Sequence, residues 1–170
     1  MPSQVEIEAC VNGKRGRWQI EPRLLLVDFL RRDLWLTGCH VGCDDGVCGA
    51  CTVLFDGAPI KSCLMLAVQI DGADVTTVEG LGQPGRLHPV QQAFIDAQAV
   101  QCGYCTPGFV VAAAAMLERE TPLTDEAVCR GLIGNLCRCG SYANIVKAVR
   151  SVASQRAAGA SDIGDGCDER

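Results

Sequence analysis

The segment GCDDGVCGAC, residues 42–51, contains three cysteines and three glycines. Its thiols belong to Cys43, Cys48 and Cys51. Glycine adopts positive φ angles at little cost, so the backbone here can turn tightly and direct several N–H groups toward one point. A loop of this kind can surround anionic sulfur. The segment therefore predicts a metal site on a loop, and the fourth ligand must come from elsewhere in the chain.

The spacing of these cysteines, C-x4-C-x2-C, is the plant-type pattern that binds a [2Fe–2S] cluster. Zinc is an alternative, although zinc loops more often begin with cysteines that only two residues separate. Residues 52–55 run away from the loop, and residues 60–63 run back after a turn. This return is expected to bring Cys63 beside Thr52 as the fourth ligand. Cys39 is the alternative fourth ligand, but it would leave Cys63 without a role.

The composition indicates a folded chain that is made in a reducing compartment. The 170 residues are 48% hydrophobic with a mean hydropathy of +0.17, which argues against disorder. The first residues, MPSQVEIEAC, have neither the basic nor the apolar segment of a secretory signal. With 12 cysteines and no sign of secretion, we expect a cytoplasmic protein whose thiols bind metal instead of forming disulfides.

Charge and hydrophobicity exclude two classes of partner. The chain has 15 Lys and Arg against 20 Asp and Glu, a formal charge of −5. It contains no basic stripe with interleaved aromatic residues, so we expect no binding to nucleic acid. The longest apolar run, residues 109–117, is far shorter than the roughly 20 residues of a membrane-spanning helix, so we expect no membrane span.

Hydrophobic periodicity predicts short strands first and helices afterwards. The dipeptide Asn12-Gly13 favours a type I′ turn, and it joins an alternating segment to its return as a hairpin. Strands are predicted at residues 5–11, 17–20, 52–55, 60–63 and 75–78, with a short helix after Pro22. Helices are predicted at residues 88–99, 107–119, 125–133 and 142–155.

These patterns predict an α+β fold with two domains. We expect a [2Fe–2S] domain at residues 1–79, a linker at residues 80–87, a helical domain at residues 88–156 and a mobile tail at residues 157–170. The linker contains GLGQPG, which matches the GxGxxG pattern of dinucleotide-binding loops. Pro84 interrupts the amides that would bind a pyrophosphate, and no acidic residue stands about 20 positions further on. We therefore interpret this segment as a linker.

A second set of cysteines follows in the helical half. The segment QCGYCTPG contains Cys102 and Cys105, and the segment NLCRCG contains Cys137 and Cys139. Each pair precedes a predicted helix, and helix N-termini stabilise anionic thiolates through free N–H groups and the helix dipole. Two such helix starts that face each other would form a site of four thiolates. By itself, this set fits zinc as well as it fits an iron–sulfur cluster.

Four segments together resemble the iron–sulfur subunit of the molybdenum hydroxylases, namely GCDDGVCGACTV, SCLMLAVQ, CGYCTPG and GNLCRC. That family includes aerobic carbon monoxide dehydrogenase, aldehyde oxidoreductases, xanthine dehydrogenase and hydroxylases of N-heteroaromatic compounds. The resemblance covers roughly residues 4–153. It implies an N-terminal β-grasp, ferredoxin-like [2Fe–2S] domain followed by a C-terminal four-helix [2Fe–2S] domain.

The resemblance also implies the cofactors and their ligands. Two [2Fe–2S] clusters are expected in this chain, with molybdopterin in its cytosine dinucleotide form and FAD on partner chains. Gln101 and Cys139 match positions that contact the pterin in the family. The implied ligands are Cys43, Cys48, Cys51 and Cys63 for the first cluster and Cys102, Cys105, Cys137 and Cys139 for the second.

The implied function is electron transfer within an oxidoreductase complex. Electrons would pass from the molybdopterin centre of a large subunit through the helical cluster and the β-grasp cluster to FAD on a medium subunit, in a dimer of heterotrimers. No catalytic residue is expected in this chain, because substrate binds on another chain. The alternatives are a free-standing ferredoxin-like carrier, which needs only one cluster, and a zinc-binding or redox-sensing regulator, which needs a basic DNA-reading helix.

The sequence departs from the family's pattern in two local places. Gly140-Ser141 stands where the family usually has Thr-Gly, and Cys39 stands where Thr is common. Small thiols outside a ligand set are more often buried or incidental than functional. We therefore expect no metal role for Cys10, Cys39, Cys129 and Cys167.

Overall fold

The computed structural model describes residues 4–83, 85–119 and 124–161, which form a mixed β-sheet unit followed by a helical unit. This arrangement confirms the predicted α+β class. The strands are β1 (Val5–Val11), β2 (Lys14–Ile20), β3 (Thr52–Phe55), β4 (Ala58–Lys61) and β5 (Asp74–Thr76). The helices are α1 (Leu26–Asp28), α2 (Val78–Leu81), α3 (Pro89–Asp96), α4 (Thr106–Arg119), α5 (Asp125–Gly131) and α6 (Tyr142–Ser161). No helix in these ranges combines the length and the apolar character needed to cross a membrane.

The predicted first hairpin is present. β1 pairs antiparallel with β2 along its whole length. Asn12 and Gly13 have φ angles of 51° and 75°, the positive values that a type I′ turn requires. Because β2 begins directly after this turn, it is longer than the strand predicted at residues 17–20.

The five strands lie in the order β2-β1-β5-β3-β4, with β1 and β5 parallel and the other neighbours antiparallel. The predicted helix after Pro22 is α1, which continues into a π-helical turn at Phe29–Asp33. Its apolar residues share one buried core with the sheet. The Phe29 ring meets the Trp18 ring edge to face, with centroids 5.4 Å apart. This core fixes the sheet on which the first loop stands.

The second hairpin corrects one prediction. β3 and β4 pair antiparallel around a turn at Asp56 and Gly57, but the chain leaves the sheet after Lys61. A 3₁₀ turn at Ser62–Leu64 replaces the end of the strand predicted at residues 60–63. The buried Ser62 hydroxyl donates to the Cys51 carbonyl at 2.8 Å and anchors this turn. Cys63 therefore lies in the turn and not opposite Thr52, which pairs with Lys61.

The strand predicted at residues 75–78 is also too long. β5 ends at Thr76, and α2 begins at Val78. The N–H of Thr77 donates to Asn12 Oδ1 at 2.8 Å. Because the Thr77 N–H bonds to this side chain of the first hairpin turn, it is not available for a hydrogen bond to a neighbouring strand. The strand therefore ends before Thr77.

The helical unit has its own buried core, to which α3, α4, α5 and α6 contribute. α3 begins after His88, whose Nδ1 accepts a hydrogen bond from the N–H of Val90 at 3.3 Å, with Pro89 at the first helical position. α3 ends earlier than predicted, at Asp96, and Gln98 follows with a left-handed φ of 51°.

The last helix also differs from its predicted length. α6 runs to Ser161, past the predicted end at residue 155, whereas α5 ends at Gly131 instead of residue 133. The N–H groups of Leu132 and Ile133 still donate to carbonyls of α5. Helical hydrogen bonding therefore continues for two residues beyond the assigned end of α5. Residues 162–170, which include Cys167 and most of the expected tail, lie outside the described residues.

Candidate metal centres

The first cysteine loop is shaped by its glycines. Gly46 and Gly49 have φ angles of 78° and 72°. A Cβ atom on Gly42 would lie 3.0 Å from Cys48 Sγ, and one on Gly46 would lie 2.3 Å from Leu64 Cδ1. Side chains at these positions would therefore push against a thiol or against the 3₁₀ turn that faces the loop.

The four thiols of the first set lie together as two pairs. The N–H of Cys48 donates to Cys43 Sγ at 3.3 Å, and the Cys43 thiol helps to raise the pKa of Cys48 after the larger effect of burial. Burial, followed by a hydrogen bond with the Cys51 thiol, raises the pKa of Cys63 to about 12. The 3₁₀ turn thus brings Cys63 to the loop although it does not stand opposite Thr52.

Backbone donors face these thiols. The N–H of Cys48 donates to Cys43 Sγ, and the backbone groups of Asp45, Ala50 and Gly46 act to lower the pKa of Cys43, Cys48 and Cys63, respectively. The sulfur atoms of an iron–sulfur cluster carry negative charge, which N–H donors stabilise. The loop therefore fits an anionic cluster.

Cys39 lies behind the loop. It is 2% exposed, and its thiol lies 3.4 Å from the Cys51 carbonyl oxygen and 3.2 Å from Ser62 Oγ. Burial raises its pKa to about 12, so the neutral thiol is favoured. These contacts give Cys39 a packing role and support the choice of Cys63 over Cys39.

The second cysteine set lies at two helix starts. Cys102 and Cys105 precede α4, and Cys137 and Cys139 precede α6. Burial, followed by a hydrogen bond with the Cys137 thiol, raises the pKa of Cys105 to about 12. The backbone of Tyr104, followed by the Cys139 thiol, lowers the pKa of Cys102. The thiols again form two pairs, Cys105 with Cys137 and Cys102 with Cys139.

Backbone donors converge on Cys137 at the start of α6. Burial by itself would raise the pKa of this thiol, but it stays below its ordinary value. The N–H of Ser141 donates to Cys137 Sγ at 3.5 Å, and the backbone groups of Cys139 and Gly140 also lower the pKa of Cys137. Free N–H groups at a helix start stabilise negative charge, so this site also fits an anionic cluster.

The pairing of the thiols bears on the kind of metal group. Within residues 4–83, 85–119 and 124–161, no three or more Cys, His, Asp or Glu side chains are arranged to hold a single metal ion. A tetrahedral zinc site gathers all four ligands around one ion, whereas a [2Fe–2S] cluster distributes its four cysteines over two irons. Two separate pairs at each site favour the cluster.

The two cysteine sets are in direct contact through the backbone. The N–H of Leu136 donates to the Cys48 carbonyl at 2.9 Å. Leu136 precedes Cys137, so a single hydrogen bond joins a residue of the first set to the neighbour of a residue of the second. Beside it, the buried Asn135 amide donates to the Gly49 carbonyl at 2.9 Å.

Glycines permit this close approach. A Cβ atom on Gly49 would lie 2.4 Å from the Gly134 carbonyl oxygen, and one on Gly108, near the start of α4, would lie 2.2 Å from the Gly49 carbonyl oxygen. In both cases the obstructing atom belongs to the backbone, which cannot move aside as a flexible side chain can. The contact between the loops therefore depends on glycine at Gly49 and Gly108.

Two further bridges surround this contact. His40 Nδ1 lies 2.7 Å from the Tyr104 carbonyl oxygen, and the His40 and Tyr104 rings stack with centroids 4.7 Å apart. The Tyr104 hydroxyl also donates to the Val41 carbonyl at 2.6 Å. On the other side, Lys61 Nζ donates to the Gly134 carbonyl at 2.8 Å.

The sequence did not predict these bridging residues. Asn135, Lys61 and Tyr104 each stand within two residues of a predicted ligand, and that closeness is the one signal that could have drawn attention to them. Their partners are 63 to 86 positions away along the chain, so no local spacing rule identifies the pairs. Only the packing of the two units does.

The two sites differ in their exposure at the surface. Gln101, predicted to face the pterin, is exposed, and so are Cys102 and Cys139 of the second site. Exposed apolar side chains accompany both sites. They are Val100, Tyr104 and Leu136 beside the second set and Trp35, Val47 and Leu64 around the first loop.

Comparison with known proteins agrees with this architecture. A family described as a [2Fe-2S] binding domain matches residues 77–150. The small subunit of nicotine 6-hydroxylase from Paenarthrobacter nicotinovorans is 49% identical over 89% of this chain and 92% of that subunit. Caffeine dehydrogenase subunit gamma from Pseudomonas sp. (strain CBB1) is 47% identical over 86% of this chain and 89% of that subunit.

A solved structure extends the likeness to the fold. A chain of quinoline 2-oxidoreductase from Pseudomonas putida 86 superposes with a TM-score of 0.87 at 42% identity. The match covers 93% of this chain and 98% of that one. Both units and both cysteine sets therefore lie within the shared fold.

Proposed function

Since the chain belongs to the small iron–sulfur subunits of the molybdenum hydroxylases, we propose that its two paired cysteine sets hold two [2Fe–2S] clusters in a fixed electron-transfer order. The chain is an electron-transfer subunit of an oxidoreductase. The observation that carries the proposal is the 2.9 Å hydrogen bond from Leu136 N to the Cys48 carbonyl, which joins the two sets. A free-standing carrier would need neither the second set nor this contact.

We propose that the two thiols that perturb each other's pKa most directly hold the same iron. In the first site, Cys43 and Cys48 would hold one iron, and Cys51 and Cys63 the other. The second site follows the same rule, with Cys105 and Cys137 on one iron and Cys102 and Cys139 on the other. When bound, each cluster accepts and releases one electron at a time. The chain supplies the spacing, the N–H donors to sulfur and the burial that set the potentials.

The exposure of the two sites supports the order of transfer. The second site opens at Cys102, Cys139 and Gln101, and we propose that this side faces the molybdopterin of the large subunit. The first site is more enclosed, and the apolar side chains of Trp35 and Leu64 beside it would contact the subunit that carries FAD. Electrons would then pass from the second site to the first and onward to FAD.

The partners follow from the relatives. Their names include a small subunit and a subunit gamma, which indicates complexes of several chains. We propose a large molybdopterin subunit with the cytosine dinucleotide form, a medium FAD subunit and a dimer of heterotrimers. Assembly in the cytoplasm is part of the proposal because both cysteine sets need reduced thiols.

Substrate choice would belong to the large subunit. The two relatives are 49% and 47% identical to this chain, yet their complexes are named for nicotine and for caffeine. Small subunits this similar therefore serve different substrates. Carbon monoxide, aldehydes, purines and N-heteroaromatic compounds are all compatible with the electron-transfer role of this chain.

The test is a metal and redox analysis of the natively purified complex. We expect about four iron and four acid-labile sulfide per chain, and two distinguishable paramagnetic signals after reduction. In rapid mixing with substrate, Cys63→Ser should leave molybdenum and the second cluster reducible while flavin stays oxidised. Zinc in place of iron would overturn the cluster assignment. Flavin reduction at the normal rate in Cys63→Ser would overturn the order.

A further inference from the structure

Ser141 carries an unpaired hydroxyl next to the second cysteine set. The residue is 6% exposed, and its Oγ is the buried side-chain oxygen or nitrogen without a hydrogen-bond partner in the part of the chain that the structure describes. Buried hydroxyls are normally hydrogen-bonded, because leaving one unpaired loses its interactions with water without replacement. No described group therefore accepts the hydrogen of the Ser141 hydroxyl.

Ser141 stands where serine usually caps a helix. It directly precedes Tyr142, the first residue of α6, and its carbonyl accepts the first helical hydrogen bond from Ile145 N at 3.0 Å. A serine in this position commonly accepts a bond from an N–H of the first turn through its Oγ. Here that bond is absent, so the hydroxyl does not serve as the cap.

Other helices of the same unit show the contrast. Thr124 precedes α5 and accepts from the N–H of Ala127 at 3.1 Å, and His88 precedes α3 and accepts from the N–H of Val90 at 3.3 Å. Both of these caps are satisfied by the helix that they begin. The Ser141 hydroxyl remains free for something else.

The backbone of Ser141 lies beside a sulfur of the second site, although its hydroxyl makes no hydrogen bond to any described group. The backbone N–H of Ser141 points at Cys137 Sγ from 3.5 Å, so the start of α6 already directs one donor of this residue toward the thiol. A thiolate or sulfide of an iron–sulfur cluster is an anionic acceptor. Hydrogen bonds to such acceptors are stronger than those between neutral groups.

We propose that the Ser141 hydroxyl donates a hydrogen bond to an anionic sulfur of the second cluster and thereby raises the reduction potential of that cluster. The inference rests on the proposed function, because it takes Cys137 to be a ligand of that cluster. Reduction adds one electron to the cluster and breaks no bond, so the sulfur becomes a stronger acceptor. A donor at this position therefore stabilises the reduced form more than the oxidised form.

This role is particular to the chain and is not carried by its resemblance to the family. Gly140-Ser141 replaces the Thr-Gly pair that is usual in the family, so the hydroxyl stands one position later. Gly140 has a φ of 79°, which lets the chain turn just before the serine. The substitution moves a hydroxyl donor onto the residue that directly precedes α6.

The test is a redox titration of the purified complex, with both clusters followed by electron paramagnetic resonance. Ser141→Ala should lower the potential of the second cluster, with a change of about fivefold in the equilibrium constant for its reduction, where tenfold is about 59 mV for one electron. The potential of the first cluster should not change. Ser141→Thr, which keeps a hydroxyl, should restore most of the original value.

Ser151→Ala is the matched control. It removes a hydroxyl from the same helix, but this hydroxyl already donates to the Ala148 carbonyl at 2.8 Å. Both potentials should stay unchanged in that variant. If Ser141→Ala contains both clusters and their potentials equal those of the wild type, the proposal is wrong and Ser141 is only a packing residue.

A second measurement keeps the proposal testable if Ser141→Ala does not assemble. In the wild-type complex, brief exposure to D₂O exchanges a hydroxyl hydrogen faster than buried amides. Pulsed electron–nuclear double resonance should then detect a rapidly exchanging deuteron coupled to the second cluster. Its absence would overturn the proposal, whereas absence of the second cluster itself would instead overturn the proposed function.

Discussion

The two cysteine sets stand on different scaffolds. The first is enclosed by a glycine-rich loop and a 3₁₀ turn, and its Cys51 and Cys63 are 2% and 4% exposed. The second is built on two helix starts and opens to the surface, where Cys102 and Cys139 are exposed. Burial and hydrogen bonds to sulfur set the potential of an iron–sulfur centre. The described chain therefore provides more of the environment of the first site than of the second, whose exposed cysteines are where we propose that a partner binds.

The largest expected effect tests whether the two scaffolds are independent. Cys48→Ser should abolish the signal of the first cluster and leave the second, and Cys105→Ser should do the reverse, because each thiol belongs to only one set. Electron paramagnetic resonance of each reduced complex measures this. Cys129→Ser, which removes an exposed thiol on α5, is the control and should change neither signal. Loss of both signals from a folded Cys48→Ser complex would show that the sites form one unit.

The next prediction concerns the contact between the sites. Gly108→Ala should destabilise the chain by about 3 kcal/mol, because its Cβ would lie 2.2 Å from a backbone oxygen of the first loop. The loops should also move apart, which would weaken the magnetic interaction between the two reduced clusters. Thermal unfolding and electron paramagnetic resonance of the complex measure the two effects.

Gly131→Ala is the matched control for this substitution. Its Cβ would meet the Met116 Sδ atom at 2.3 Å, but a methionine side chain can move aside. We therefore expect a much smaller loss of stability and an unchanged magnetic interaction. An equal loss in both variants would show that the backbone contact has no special role.

The sequence predicted the parts of the fold that local patterns control. The dipeptide Asn12-Gly13 predicted the first hairpin. The cysteine spacing predicted the loop at residues 42–51, which the structure places against Cys63. The ends of elements were less predictable. Ser62 and Thr77 stop their strands through bonds to Cys51 and Asn12, and such partners do not follow from the alternation of apolar residues.

The contact between the sites was not predictable for the same reason. Asn135 lies 86 positions from Gly49, and its amide bonds to a backbone carbonyl that no motif marks. The unpaired Ser141 hydroxyl likewise becomes informative only when its burial is known. The sequence therefore predicts which residues would hold metal, and the packing of the two units shows which residues bring the two cysteine sets together.

A smaller effect is expected from the side chain that joins the loops. Asn135→Leu keeps a similar volume but removes the donor to the Gly49 carbonyl, so we expect a loss of about 2 kcal/mol in the free energy of unfolding. Hydrogen exchange at the Leu136 amide should become faster, because its bond to Cys48 lies beside the lost one. Asn144→Leu is the control, since it removes an exposed amide bond to the Gln98 carbonyl, which involves neither Gly49 nor Leu136. Equal exchange at Leu136 in both variants would show that Asn135 does not support the contact.

The smallest expected effect is a loss of stability at acidic pH that arises from His88 in the helical unit. Burial, followed by the positive charge of Arg156, lowers the pKa of His88, while Glu118 opposes the shift. A histidine with a lowered pKa stabilises the fold while it is neutral, and this contribution is lost as the pH falls below the ordinary value of about 6.5 and through the folded pKa. Protonation also removes the Nδ1 acceptor that caps α3 for Val90. Between pH 7 and pH 5 we expect the melting temperature to fall by about 2 °C more in the wild type than in His88→Asn, which keeps a cap that does not titrate. Equal falls in the two proteins would show that His88 does not couple the helical unit to pH.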